Sequence, residues 1–207
     1  MRRPLFIARQ SGLPRGPLGR LIAAIMVRET ASTNRQAIAA LEIRPGDSAL
    51  DIGCGSGLSV ELLLRLVPKG RVTGADPSPV MAARAKARNY RAIASGLAEI
   101  ATAPVEHLPF PDASFDAVMS VHTLYFWADL DIALREIVRV LRPGGRLVLA
   151  CRTPANPAAA ASFPAEIYTL RGLSEIEEAL RDAGLQITAS TADEPGGEPA
   201  LIRAHKP

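Results

Sequence analysis

Apolar positions along this chain follow two rhythms, and the alternation between them predicts a layered α/β protein. Short, almost continuous apolar runs over Ser48–Ile52, Arg71–Asp76, Leu97–Ala101, Phe115–Val121 and Arg146–Cys151 read as buried strands. Between them lie stretches with apolar residues every three or four positions. These predict helices over Leu58–Val67, Pro79–Asn89, Leu130–Leu141 and Ser174–Ala183. Leu185–Thr191 and Ala200–Ala204, joined around Glu194-Pro195-Gly196-Gly197, predict a closing antiparallel pair. Ahead of the first strand, Leu18, Leu21, Ile22, Ile25 and Met26 give an amphipathic helix over Gly16–Val27. Ser32-Thr33-Asn34 offers caps for a second helix through Leu41. Strand–helix alternation implies a parallel sheet with right-handed crossovers. Pro154–Ala161, rich in alanine and proline, reads as a linker.

Composition narrows the class. With 207 residues, 48% of them hydrophobic, the chain can bury one sizeable core, at a radius of gyration of about 17 Å. No apolar run reaches the length of a membrane span, and the apolar stretch after Arg2-Arg3 is too short for a signal peptide. Cys54 and Cys151 show no metal-ligand spacing, so neither a disulfide framework nor a metal site is expected, and a cytoplasmic location follows. The net charge of +3 is spread through arginines along the chain. Dispersed charge argues against nucleic acid as a partner. Arginine in place of lysine, together with abundant alanine, looks like bacterial coding bias.

The chemistry concentrates at Ala49-Leu50-Asp51-Ile52-Gly53-Cys54-Gly55-Ser56-Gly57, a strand that ends in an acid and opens into three glycines. A strand–glycine loop–helix turn lets a ligand rest on backbone whose N–H groups are left unpaired at the helix start. The next strand ends in Asp76, 19 residues past Gly57, where a carboxylate can hold two ribose hydroxyls. A pyrophosphate would be repelled by Asp51, whereas an ammonium group suits it. The glycine spacing also lacks the last glycine of the dinucleotide pattern G-x-G-x-x-G.

The loop and its two flanking acids resemble the class I S-adenosylmethionine-dependent methyltransferases. Leu108-Pro109-Phe110-Pro111-Asp112, Ser114-Phe115-Asp116 and Leu141-Arg142-Pro143-Gly144-Gly145 are similar to loops of their ubiquinone/sterol-type branch, and the resemblance runs from about Ile43 to the end. It implies a Rossmann-like doubly wound sheet of order 3-2-1-4-5-7-6 with strand 7 antiparallel, behind N-terminal helices. It also implies S-adenosylmethionine as cofactor and S-adenosylhomocysteine as product. By the same resemblance Asp51 places the methionine amino group, Gly53, Cys54, Gly55 and Gly57 form the loop beneath the ligand, and Asp76 clamps the ribose. Pro77 and Met81 then flank the adenine, Val105 and Glu106 meet its edge, and Ser120 with Val121 faces the methionine end. Pro104 stands where the family commonly has an Asp, which shifts the adenine hydrogen bond to Val105 or Glu106.

Methyl transfer asks mainly for alignment and exclusion of water. The segment Val121-His122-Thr123-Leu124-Tyr125-Phe126-Trp127 holds the expected acceptor wall, with His122 as a general base of near-neutral pKa and Tyr125 beside it as the catalytic pair. The expected acceptor is a small molecule. A non-catalytic cofactor-binding subunit and an NAD-dependent oxidoreductase are the alternatives. Residues 1–42 are expected to form a helical lid ahead of a methyltransferase domain at 43–207, because their apolar stripe needs a partner and the open cleft offers one. A membrane-surface or homodimer contact is the competing use of that stripe. With little insertion after the fifth strand, the N-terminal helices are expected to supply most of the cover.

Overall fold

The computed structural model describes residues 3–12, 14, 16, 19, 22, 25 and 29–207. The expected helix over Gly16–Val27 lies largely outside these residues. Seven strands form one sheet: β1 (Ser48–Ile52), β2 (Arg71–Ala75), β3 (Ala98–Ala101), β4 (Phe115–Val121), β5 (Leu141–Cys151), β6 (Gln186–Thr191) and β7 (Ala200–His205). Their order is β3-β2-β1-β4-β5-β7-β6. β1 pairs in parallel with β2 and β4, whereas β7 runs antiparallel to β5 and β6. Both the order and the direction of the last strand match the expectation.

The helices are α1 (Leu5–Gly12), α2 (Ala31–Ala40), α3 (Leu58–Leu64), α4 (Pro79–Arg88), α5 (Tyr90–Ala94), α6 (Leu130–Val140), α7 (Pro157–Ser162) and α8 (Leu173–Asp182). Side chains alternate across each strand and separate the core into two layers. Leu50, Leu147, Leu149 and Ile202 meet Leu134 and Ile137 of α6 and Ile176 and Leu180 of α8 on one face. Ala49, Met119 and Val148 meet Ala37, Ile38 and Leu41 from the α2 segment and Val60 and Leu63 of α3 on the other. The α2 helix thus packs against the sheet, ahead of the expected division at residue 42. Only its start, Thr30 and Asn34, reaches the cleft.

Local chemistry explains most boundaries. Ser78 caps α4 ahead of Pro79, Asp129 caps α6, and Asn156 caps α7 by accepting the Ala159 N–H at 3.1 Å. The Asn156 cap turns part of the expected Pro154–Ala161 linker into a helix. At α2 the cap position is Thr30 without a side-chain bond, so the expected Ser32-Thr33-Asn34 cap falls one turn inside the helix. Asn34 instead donates back to the Thr30 carbonyl at 3.0 Å. The helix α1 has no counterpart in the sequence reading. Eight residues hold too little periodicity to announce a helix, and packing of Ala8 into the core holds it in place.

Candidate functional site

A cavity of about 920 Å³ opens above the carboxyl ends of β1 and β4. This is where the strand order reverses and connections leave in opposite directions, the usual ligand position in open α/β sheets. Its floor is the β1–α3 loop. The three glycines there serve three purposes. At Gly53 (φ 73°) a Cβ would collide with the Thr123 side chain, 2.1 Å away. At Gly57 it would strike Asn89 and Ala85, so Gly57 sits behind the floor as the left-handed start of α3. A Cβ at Gly55 (φ 53°) would meet nothing nearer than the Gly53 carbonyl oxygen at 4.0 Å. Gly55 thus keeps clear a space that a ligand can fill.

Four of the loop's N–H groups are already bonded. Those of Gly53 and Cys54 are accepted by the Ala75 carbonyl, that of Gly57 by the Cys54 carbonyl and that of Gly55 by Asp76 at 2.9 Å. These four donors are therefore not free to cradle an anion. Two buried carboxylates stand there instead. Asp76 also accepts the Ser78 N–H at 2.9 Å, and burial pushes its pKa up. Asp51, 2% exposed, accepts a short hydrogen bond from Ser59. Its pKa is pushed up to about 7, first by burial and further by the charge of Asp76, with Ser59 opposing. Burial likewise raises the Cys54 thiol, so it is an inert lining residue.

Along one side, Pro77, Met81, Ala103, Pro104, Val105 and Glu106 line the cavity. Glu106 accepts the Ala128 N–H at 2.8 Å, so its carboxylate ties this side to the opposite wall. That wall is built from Val121, His122, Thr123, Tyr125, Phe126 and Trp127. Ser120 lies behind it, with its hydroxyl donated to the Ile52 carbonyl at 3.0 Å. Of the residues expected at the site, Gly57 and Ser120 thus support the lining without joining it.

His122 occupies a left-handed backbone position (φ 60°), uncommon for any residue other than glycine, with its N–H on the Ala150 carbonyl at 2.8 Å. Its Nδ1 lies 2.6 Å from the Tyr125 hydroxyl. Burial, with help from the Arg152 and Arg3 cations and against the pull of Asp193, pushes its pKa down to about 4. The expected near-neutral base is therefore a neutral imidazole at physiological pH. Tyr125 is buried, and its pKa is raised by that burial, so it keeps its proton.

The cover comes from two places. α1 contributes Arg9, Gln10, Ser11 and Gly12, and Pro14 beyond it adds to them. Pro14 is bound to the body, its carbonyl accepting the Ser78 hydroxyl at 3.0 Å, and the Arg3 N–H reaches the Ser162 carbonyl at 2.9 Å. The segment after α7 adds Ile167 and Thr169, and the Thr169 N–H fixes the Tyr125 carbonyl at 3.0 Å. The stretch beyond β5 thus supplies cover that the sequence reading assigned to the N-terminus.

A methyltransferase domain description matches residues 50–149. A putative methyltransferase of Bacillus subtilis is 31% identical over 124 residues, which cover 60% of this chain and 68% of that protein. The chain belongs to the class I S-adenosylmethionine-dependent methyltransferases. A ubiquinone/menaquinone biosynthesis C-methyltransferase of Hahella chejuensis is a further relative of this methyltransferase chain, 39% identical over 136 residues, 63% of this chain and 53% of that enzyme. The chain spans between 31% and 63% of the length of three more curated relatives. Among solved structures, the complex between the Haloferax volcanii Trm112 methyltransferase activator and the putative methyltransferase shares the fold. It has a TM-score of 0.76 at 24% identity and covers 100% of this chain and 99% of that one.

Within this methyltransferase frame, the residues that sequence reasoning missed include Thr123, Ile167, Thr169 and those of α1. Thr123 carried a signal, since it sits between two expected site residues. The others carried none, because tertiary packing alone brings them to the cleft.

Proposed function

We propose that this chain binds S-adenosylmethionine on the β1–β2 side of the cavity and transfers its methyl group to a small acceptor on the β4 side. One observation carries the cofactor assignment: two buried carboxylates stand at a loop whose Gly53, Cys54, Gly55 and Gly57 N–H groups are already bonded, an arrangement that suits a ligand with an ammonium group and a ribose and disfavours a pyrophosphate. This argues against the NAD-dependent alternative. The residues fit the cofactor. Asp76 would hold the ribose, Asp51 the amino group, Gly55 the space beneath, and Pro77, Met81 and Val105 the base. When bound, the cofactor supplies an electrophilic sulfonium methyl. The chain's own part is to align the acceptor and keep water away, for which effective molarity supplies about 7–11 kcal/mol.

Residues 3–14 act in this reading as the lid, with Pro14 latched to Ser78. The acceptor wall of Tyr125, Phe126 and Trp127 favours a flat apolar molecule. Relatives named as methyltransferases of small metabolites agree with this choice.

Calorimetry tests the cofactor half. S-adenosylhomocysteine should bind and NAD should not. Two charge-assisted ribose bonds, each worth about 1.5–3 kcal/mol before loss of additivity, imply that Asp76→Ala weakens binding about 30- to 1,000-fold. Asp76→Asn, which keeps an oxygen for the Gly55 N–H, separates loss of the loop from loss of the charge. Unchanged affinity in both folded variants, or NAD binding as tight, defeats the assignment. Binding without turnover on any acceptor of a panel would instead favour a non-catalytic, regulatory subunit.

A further inference from the structure

The acceptor end of the cavity contains a chain of hydrogen bonds that decides what His122 can do. Tyr125 Oη accepts the backbone N–H of Arg152 at 2.9 Å. Its own single proton then points to His122 Nδ1, 2.6 Å away, the acceptor available to it among the described residues. A neutral imidazole that accepts at Nδ1 carries its proton at Nε2. His122 Nε2 has no partner among the described residues, and His122 lines the cavity.

The anchor of this chain is itself fixed. Asp193, buried in the β6–β7 loop, accepts the Arg152 guanidinium at 2.7 Å, the Thr153 N–H at 2.7 Å and the Asn156 amide at 3.0 Å. Those bonds hold the end of β5 so that the Arg152 N–H meets Tyr125. The charged groups that act on His122 are Arg152 and Arg3, which disfavour its protonation, and Asp193, which favours it.

We infer that His122 is a hydrogen-bond donor to the acceptor and not its base, so that the methyltransferase takes flat apolar molecules carrying an acidic, conjugated hydroxyl that binds as its oxyanion against His122 Nε2–H. The inference rests on the methyltransferase reading above. In the transfer, an electron pair of the oxyanion, or of a ring carbon conjugated with it, forms the bond to the methyl carbon. The carbon–sulfur pair stays on sulfur, which becomes a neutral thioether. At oxygen no proton has to be removed. At carbon, the ring proton leaves to water afterwards. Tyr125 and Asp193 are positioning residues, since they act on the acceptor through His122.

Two measurements on the full chain saturated with S-adenosylhomocysteine test this, and failure to saturate would count against the cofactor reading alone. Nitrogen-15 NMR should show His122 protonated at Nε2 and bare at Nδ1 from pH 5.5 to 8, with the preference lost in Tyr125→Phe. An Nδ1–H tautomer, or an imidazolium forming near pH 6.5, overturns the inference. Fluorine-19 titration then compares pentafluorophenolate with pentafluorobenzene, which has the same ring without the oxygen. The phenolate should bind about 10- to 100-fold tighter, as one hydrogen bond to a charged group provides. The difference should vanish in His122→Gly, a variant suited to the left-handed backbone there. Equal affinities, or binding of neither probe at about 5 mM, overturn the assignment of the acceptor class.

Discussion

The two ends of the cavity are made in different ways. Above β1 and β2 the shape is set mainly by backbone: a glycine turn whose N–H groups are bonded to the Ala75 carbonyl, to the Cys54 carbonyl and to Asp76, one of two carboxylates at the strand ends. Beyond β4 it is set by side chains from separate segments: the turn after β4, the segment after α7 and α1. A backbone-built site recognises one invariant ligand, because its geometry is fixed by the sheet. A side-chain-built site can be altered residue by residue without disturbing the sheet, which suits a family whose relatives are named for different acceptors.

The largest effect that would separate the two ends is removal of the lid. Deleting Met1–Arg28 takes away α1 and leaves α2 in the core. Turnover should fall about 100-fold or more, because acceptor alignment is lost, while the fold persists in circular dichroism and cofactor binding weakens. Full activity in solution, together with lost association with anionic liposomes, would replace the lid by a membrane contact.

Next in size is the response of the backbone-built end to pH. Asp51, with a folded pKa of about 7 against an ordinary 3.8, must ionise to hold a cation. Affinity for S-adenosylhomocysteine should therefore rise with pH and level off above about 7, by up to about tenfold per unit below it. Asp51→Asn should flatten the profile. A flat profile in the wild type would show that Asp51 does not face the ligand's ammonium group.

Stability gives a finer test, because Asp51 and His122 act in opposite senses. The raised Asp51 contributes stability that is present at low pH and lost as pH rises from about 4 to about 7. The depressed His122, at about 4 against 6.5, contributes stability that is present above 6.5 and lost as pH falls through 4. Between pH 4 and 6.5 the two slopes oppose. His122→Gly removes one of them, so its melting temperature should fall more steeply with rising pH than that of the wild type. At neutral pH the variant should melt within about 4 °C of the wild type, since relief of the left-handed backbone offsets glycine's entropy. A large loss would mean that the imidazole is a structural residue.

The smallest expected effect is none at all. The described residues contain no group of three or more metal-ligating side chains, so treatment with a chelator should leave turnover unchanged. Loss restored by magnesium would show that the acceptor end recruits a cation.

How much of this was legible follows the same division. The strands, the glycine turn, Asp51 and Asp76 were readable from the residues, because strand periodicity and turn chemistry are local, whereas the strand order followed only from the family resemblance. His122 and Tyr125 were readable as neighbours of a strand end, but their chemistry was not. The pKa of His122 depends first on burial and then on Arg152, Asp193 and Arg3, which lie far apart along the chain. The Gly55 N–H bond to Asp76 spans 21 positions and likewise leaves no local trace. α1 and Thr169 reach the cavity only through packing, which no periodic pattern encodes.

Among the bonds that cross from the backbone-built end to the side-chain-built end, one is made by Glu106, which beside the first accepts the N–H of Ala128 at the edge of the second. A ligand at either end that shifts this carboxylate changes the free energy of the other. Linkage then requires the exchange to be symmetrical, so that whatever factor the nucleoside ligand adds to acceptor affinity, the acceptor returns to the nucleoside. Ligands held at the two ends would thereby be thermodynamic partners before any bond between them forms.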